Sequence, residues 1–163
     1  MVGFVGKEWN RKGLPLAVEA MALLRHKRPF LEFRVIGADP AAVQHLFADW
    51  TTGYSLTPWS GEVPYPELDI LLHPARAEPL GMVITEAMSA RLPVVVSDVC
   101  GAAEEVSTEA GSVLSLDKSV QDWADAVDRL LERRTPAPSY VRGWEQVAGE
   151  YEDIYADLQG ERS

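Results

Sequence analysis

Short apolar runs closed by glycine or proline alternate along this chain with stretches whose apolar residues recur every three or four positions. Val2 to Val5 is the first such run and reads as a strand. A polar loop, Gly6 to Gly13 (GKEWNRKG), leads into Leu14 to Leu24, where Leu16, Ala17, Ala20, Met21, Leu23 and Leu24 fall at helical spacing. Arg25, Lys27 and Arg28 complement the dipole of that helix and Pro29 closes it. Leu31 to Ile36 alternates apolar and charged residues up to Gly37, so it is a second strand. Asp39 and Pro40 are cap and first residue of a helix expected to run to about Trp50. Thr51 to Gly61 is turn-rich, with a short strand expected around Ser55 to Trp59, and Val63-Pro64-Tyr65-Pro66 breaks any helix that follows.

The second half repeats the alternation. Leu68 to His73 is a strand that enters a loop ending in Glu78, Pro79, Leu80 and Gly81. A short, almost uncharged helix comes next, with Glu86 in its middle; the apolar neighbours predict a buried helix, in which a lone carboxylate is costly unless paired. Arg91-Leu92-Pro93 turns the chain into the strand Val94 to Val96. A helical turn from Ala102 to Val106 and a strand from Ser112 to Leu116 follow. Ser119 caps a helix from Val120 to Arg134 that carries Trp123, Ala126, Val127, Leu130 and Leu131 on one face. Thr135 to Ser139 (TPAPS) is a rigid link. Residues 140–159 form a last helix, Tyr140 to about Leu158, with Trp144, Val147, Tyr151, Ile154, Tyr155 and Leu158 along it.

Strands alternating with helices imply an α/β fold with a parallel sheet. The right-handed crossover rule makes this a Rossmann-like, doubly wound, mainly parallel sheet with helices on both faces. Ligands of such sheets bind beyond the C-terminal strand edge. The loops at that edge are Gly6–Gly13, Gly37–Pro40, His73–Gly81 and Ser97–Ala102, so the basic first loop and the Glu78–Gly81 loop are expected to face one another across one crevice.

Composition narrows the partners. The 163 residues suit one domain, 1–163, and 47% hydrophobic with 25% charged residues is the balance of a soluble globular protein. No apolar run approaches the ~18–20 residues of a membrane span. Cys100 is the only cysteine, which excludes an internal disulfide and makes the cytoplasm the expected compartment. The formal net charge of −10 argues against nucleic acid as a partner. Residues 1–37 nevertheless hold seven basic residues against three acidic ones, which suits a small anionic ligand. The chain opens directly on a strand, as a piece begun at a domain boundary would.

The helix that starts at Gly81 offers free N–H groups and a partial positive charge to a phosphate, and Lys7, Arg11 or Lys12 would add full charges. A diphosphate there would leave Glu78 beside one end of the ligand and Glu86 beside the other, where carboxylates can accept hydrogen bonds from sugar hydroxyls. Blander readings stand beside these. Glu86 could be a buried ion pair with Arg91 or Arg76, the basic residues a solvated loop, and His73 a satisfied structural histidine rather than a base. Asp98 and Cys100 suit loop and packing roles. The sequence holds no Asp-x-Asp, no His/Cys metal spacing and no dinucleotide or P-loop glycine pattern, so no metal and no cofactor is expected.

The stretch HPARAEPLGMVITEAMSARLPVVVSDVCGAAEEV resembles the donor-site motif of retaining glycosyltransferases of the GT-B kind, such as the lipopolysaccharide-core and mannosyl transferases. FVGKEWNRKGLPLAVEAMALL, RVIGAD and GWEQVAGEYEDIYADL are similar to further segments of that family, in the same order. The resemblance implies a nucleotide-sugar donor domain that transfers a hexose once joined to an N-terminal acceptor domain, which is absent here; this fragment alone would be inactive. It implies that Glu78 contacts the donor sugar as the catalytic carboxylate, that Glu86 holds the ribose hydroxyls, and that the N–H groups of Leu80, Gly81, Met82 and Val83 hold the diphosphate. Lys12 matches the family's phosphate-binding lysine. Lys7 stands where the family usually has arginine, and Arg11 is the candidate to take that role. The diphosphate leaving group would be neutralised by these groups without metal. The sequence departs from the family between Gly61 and Leu68, where only VPYP replaces a longer segment with a full helix. Wider membership would also admit a phosphorylase, a sugar-nucleotide epimerase or a non-catalytic binding module. The last helix is expected to lean on the absent domain, leaving its aromatics exposed or covered by a second copy; any contact with the inner membrane would come through that domain.

Overall fold

The computed structural model describes residues 1–133 and 136–160. Six strands, β1 (Val2–Val5), β2 (Phe33–Gly37), β3 (Tyr54–Pro58), β4 (Ile70–His73), β5 (Val94–Ser97) and β6 (Gly111–Leu114), form one sheet in the order β3-β2-β1-β4-β5-β6. Every pairing is parallel. The chain winds outward from β1 to β3, then returns to β4 on the other side of β1. The strand order therefore reverses between β1 and β4, and sheets of this kind take their ligands in the crevice beyond the C-terminal strand ends at that point.

Both faces of the sheet are covered, as a parallel sheet requires. On one face Val2, Phe4, Phe33, Val35, Ile70, Leu72 and Val95 pack with α1 (Leu14–Lys27) and α4 (Val120–Leu131). Trp123 from α4 is the largest fully buried side chain there. On the other face Val5, Ile36, Leu71, Val94 and Val96 meet Ile84, Ala87 and Met88 of α3 (Met82–Ser89) and Ala102 and Ala103 of a 3₁₀ turn, Gly101–Glu105. The alternation of inward positions along each strand thus serves two cores rather than one core and solvent.

Several boundaries differ from the sequence reading, each for a local reason. The first helix continues to Lys27, since Arg25, His26 and Lys27 sit well at a helix C-terminus. After Asp39, whose carboxylate accepts from the Ala41 N–H at 3.0 Å, α2 is only Pro40–Val43 and tightens into a 3₁₀ turn, Gln44–Phe47, instead of running to Trp50. The tighter winding seats Phe47 in the core, where its ring stacks on Tyr54 with centroids 4.5 Å apart. β2 begins at Phe33 rather than Leu31, because the Leu31 N–H closes a turn on the Arg28 carbonyl. β4 begins at Ile70 rather than Leu68, because Leu68 ends a 3₁₀ turn, Tyr65–Glu67. The helix capped by Ser119 ends at Leu131; its cap is a reciprocal box with Asp122. Arg134 and Thr135, named above as a helix end and the start of a link, lie outside the described residues, as do residues 161–163.

The last helix, α5 (Trp144–Gly160), starts four residues later than Tyr140. Tyr140 is instead tied against α3: its N–H donates to the Met88 carbonyl (3.3 Å) and its carbonyl accepts from the Ser89 hydroxyl (3.1 Å). From there α5 stands off the body of the domain. Trp144 is 86% exposed, and Tyr151, Ile154, Tyr155 and Leu158 are exposed along the same helix. Among the described residues no helix is long and apolar enough to cross a membrane.

Candidate functional site

The crevice at the switch point is closed from both sides by two loops pressed together. Gly13, at the end of the β1–α1 loop, has φ 81°, and a Cβ there would collide with the Pro74 carbonyl oxygen of the β4–α3 loop. The Arg76 N–H donates to the Arg11 carbonyl at 2.8 Å, and the Arg11 guanidinium donates from Nη1 to the Ala77 carbonyl at 2.7 Å. The far side of the β4–α3 loop is fastened to the chain after β5: the Gly101 N–H donates to the Glu78 carbonyl and the Ala102 N–H to the Leu80 carbonyl.

Within this frame the Lys12 ammonium donates to the Glu78 carboxylate, a mostly buried ion pair with side-chain exposures of 15% and 11%. Burial pulls the Glu78 pKa upward, but the Lys12 hydrogen bond and charge, then His73 and Arg11, outweigh it and hold the carboxyl below its ordinary value. His73, at the end of β4, is fully buried, with Nε2 4.0 Å from Glu78 Oε2 and its ring stacked on Phe4. Burial first, then the Lys12 charge, lowers its pKa to about 4; Glu78 acts the other way and Arg11 with Lys12. The imidazole is therefore neutral at pH 7. Among the described residues neither of its nitrogens has a hydrogen-bond partner, in place of the satisfied structural histidine of the sequence reading.

Helix α3 points its N-terminus at the same crevice. Its cap, Gly81, takes the left-handed conformation (φ 88°) and supplies no side chain to the free N–H groups of the first turn. Leu80 and Met82 are exposed at this end, Gly81 is buried, and Val83 is half-buried.

Glu86 corrects the sequence reading. It is exposed, on the face opposite Ile84, Ala87 and Met88, and pairs with neither Arg91 nor Arg76. The Tyr65 hydroxyl donates to its Oε2 at 2.6 Å. Burial, then the hydrogen bond to Glu86 and its charge, raises the Tyr65 pKa, so the phenol stays protonated and remains the donor. Arg91 instead donates from Nε to the Ala137 carbonyl, at the one non-glycine position with positive φ (60°) among the described residues.

The structure thus gathers Lys12, Glu78 and, through Ala77, Arg11, with the start of α3 beside them. The Lys7 ammonium sits 4.8 Å over the Trp59 ring. The contacts of Tyr65 with Glu86 and of Trp59 with Lys7 were not anticipated from the sequence. The sequence signals were only the broken helix at VPYP and a tryptophan in a turn-rich stretch. Asp98 and Cys100 behave as loop and packing residues. Cys100 is buried, which raises its thiol pKa, with the Ser97 hydroxyl 3.4 Å away, and that hydroxyl donates to the Ala75 carbonyl.

Comparison with known proteins identifies the family and the fold. The family described as "Glycosyl transferases group 1" matches residues 1–133. The lipopolysaccharide glucosyltransferase WaaG of Escherichia coli K12 is 31% identical over 159 residues, covering 91% of this chain and 41% of that protein. The crystal structure of WaaG superposes with a TM-score of 0.74 at 26% identity, over 81% of this chain and 38% of that one. Anabaena HepE in complex with UDP-glucose shares the fold at 21% identity, with a TM-score of 0.70 over 80% of this chain and 38% of its own. The chain spans about two fifths of the length of the curated relatives it matches.

Proposed function

The chain belongs to the group 1 glycosyl transferases, and from that premise we propose that it is the donor-binding part of a retaining enzyme that transfers a hexose from a nucleoside diphosphate. The observation that carries the reading is the Lys12–Glu78 ion pair, which joins the β1 and β4 loops at the switch point beside the open N-terminus of α3. An ammonium and free N–H groups are what a diphosphate needs, and a carboxylate beside them is what a sugar hydroxyl needs.

In this reading the diphosphate lies at the start of α3 against the N–H groups from Leu80 to Val83, with Lys12 and Arg11 on its oxygens. No metal takes part: as the sugar leaves, the charge that develops on the diphosphate is met by these fixed donors. Glu78 reaches the donor sugar. Glu86, one helical turn and more along α3, takes the ribose hydroxyls at its exposed oxygens while Tyr65 holds it from the side. The rest of the enzyme supplies the acceptor and covers the exposed apolar face of α5; without it, a second copy is the surface that face would find.

Titration calorimetry tests the reading. UDP, ADP and GDP, with UDP first because the HepE complexes contain it, are added to the chain at up to millimolar concentration. One of them is expected to bind, and Glu86→Ala is expected to weaken binding about tenfold, the value of a charged hydrogen-bond acceptor lost. Because Glu86 is exposed, the variant should melt where the wild type does. Absence of binding by all three, or equal affinity in the variant, overturns the assignment.

A further inference from the structure

Among the buried side-chain polar atoms without a partner in the described residues, two belong to one ring at the edge of the crevice, Nδ1 and Nε2 of His73. An apolar residue would fill that place under the loop without leaving polar atoms unmatched. The nearest polar group is informative: Nε2 lies 4.0 Å from Glu78 Oε2, too far for a hydrogen bond and about 1 Å from making one. What holds the carboxylate away is Lys12, which occupies that same oxygen. Lys12 is also the cation that an incoming diphosphate would claim.

We propose that His73 is a positioning residue for Glu78: when a diphosphate draws Lys12 off the carboxylate, the His73 Nε2–H takes its place and holds Glu78 toward the donor sugar. The proposal rests on the reading of the crevice as a nucleoside diphosphate site. It assigns the proton of the neutral imidazole to Nε2. It also explains how a carboxylate this enclosed can give up the ammonium it is bonded to, since a hydrogen bond replaces the ion pair. The charged groups facing the ring are Lys12 and Arg11 from the first loop and Glu78 from its own loop. The neighbouring strands contribute Phe4 and Val96, and the Cys100 thiol stays neutral. Transfer of Lys12 to the ligand removes the repulsion and leaves the Glu78 attraction, so the His73 pKa rises on binding.

The test uses the ¹⁵N-labelled chain, which has three histidines, His26, His45 and His73. Imidazole nitrogen spectra are followed from pH 3.5 to 8, free and saturated with whichever of UDP, ADP and GDP binds the wild type. Free His73 is expected to titrate near pH 4, and the complex to show a midpoint higher by about one pH unit or more and a shifted Nε2 resonance. An unchanged resonance and midpoint in a chain that demonstrably binds nucleotide overturn the inference and leave the nucleotide site standing. Failure of all three nucleotides to bind overturns both. Two variants add a functional readout. His73→Gln returns an amide donor near the Nε2 position, whereas His73→Phe fills the volume with none. The Phe variant is expected to bind nucleotide about tenfold more weakly and the Gln variant within about threefold of wild type, the scale of one hydrogen bond to a charged group. A structural histidine predicts the reverse order, because Phe suits an apolar site better than Gln; that order would overturn the proposal.

Discussion

Replacing Lys12 by methionine keeps the apolar stem and removes only the ammonium, which isolates the ion pair at the crevice. Breaking a fully buried pair from one side costs about 3–5 kcal/mol, most of it from the charge left behind. Lys12 and Glu78 retain 15% and 11% of their side-chain exposure, so water reaching the stranded carboxylate offsets part of that cost. About 2–3 kcal/mol is expected at pH 7, which lowers a urea midpoint by about 1–2 M. The pH dependence follows from the sign of the Glu78 shift. Its folded pKa is depressed, so its stabilising contribution is complete above the unfolded value and is lost as pH falls through the folded one. In the variant Glu78 keeps the burial that raises its pKa and loses the lysine that lowered it. Protonation then relieves the variant first. His73 pushes in the same direction, because Lys12 is the charge that most opposes its protonation. The gap between wild type and variant should therefore be widest at neutral pH and close towards pH 3.5. Adding Glu78→Gln should restore most of the loss at pH 7. Urea unfolding at several pH values, read by tryptophan fluorescence, measures all of this. A variant as stable as wild type at pH 7, or a gap that does not narrow with acid, would refute the assignment of the pair.

Three further outcomes are expected. Tyr65→Phe removes the hydroxyl that steadies Glu86 and should weaken nucleotide binding by about three- to tenfold in calorimetry, with the melting temperature nearly unchanged; unaltered affinity would detach Tyr65 from the site. Gly13→Ala places a Cβ on a left-handed residue pressed against the Pro74 carbonyl and should cost about 2 kcal/mol or more in thermal unfolding. His73, neutral in the fold down to about pH 4, means that the unfolded chain takes up a proton first as acid is added. Stability should then fall by about 3 kcal/mol between pH 6.5 and 4, and His73→Phe should flatten that part of the profile.

The fold was legible because the sequence marks each β-unit with strong local punctuation. β1, β4 and β5 are apolar runs closed by a turn, β2 alternates apolar and charged positions up to Gly37, and Asp39 and Ser119 cap helices where the pattern places them. Misreadings arose where a choice depends on distant contacts. No local rule says that the helix after Asp39 tightens to 3₁₀, since the cause is the stacking of Phe47 on Tyr54. Tyr140 reads as helix on its own, yet hydrogen bonds to Met88 and Ser89 tie it against α3, ahead of the last helix. Glu86 was misplaced for another reason. The mean polarity of its helix suggested burial, whereas the helical phase of Ile84, Ala87 and Met88 puts residue 86 on the outer face. Phase was the better guide.

The site was legible as a list and not as a network. Lys12 and Glu78 could each be named as partners of a ligand, one for phosphate and one for sugar. Their pairing across 66 residues is a tertiary fact. It alters the energetics of the proposed function, because the two groups that would grip the donor already grip each other. Nucleotide binding is then an exchange: the diphosphate replaces a carboxylate on Lys12, and the carboxylate must find another donor in a place with little water. Tyr65 supports Glu86 with a neutral hydrogen-bond donor that leaves the negative charge intact. A neutral His73 at Glu78 would do the same at the other end of α3. Both carboxylates would then be oriented by uncharged partners while the cations are committed to the diphosphate, which is the division of labour that keeps acceptors free for sugar hydroxyls.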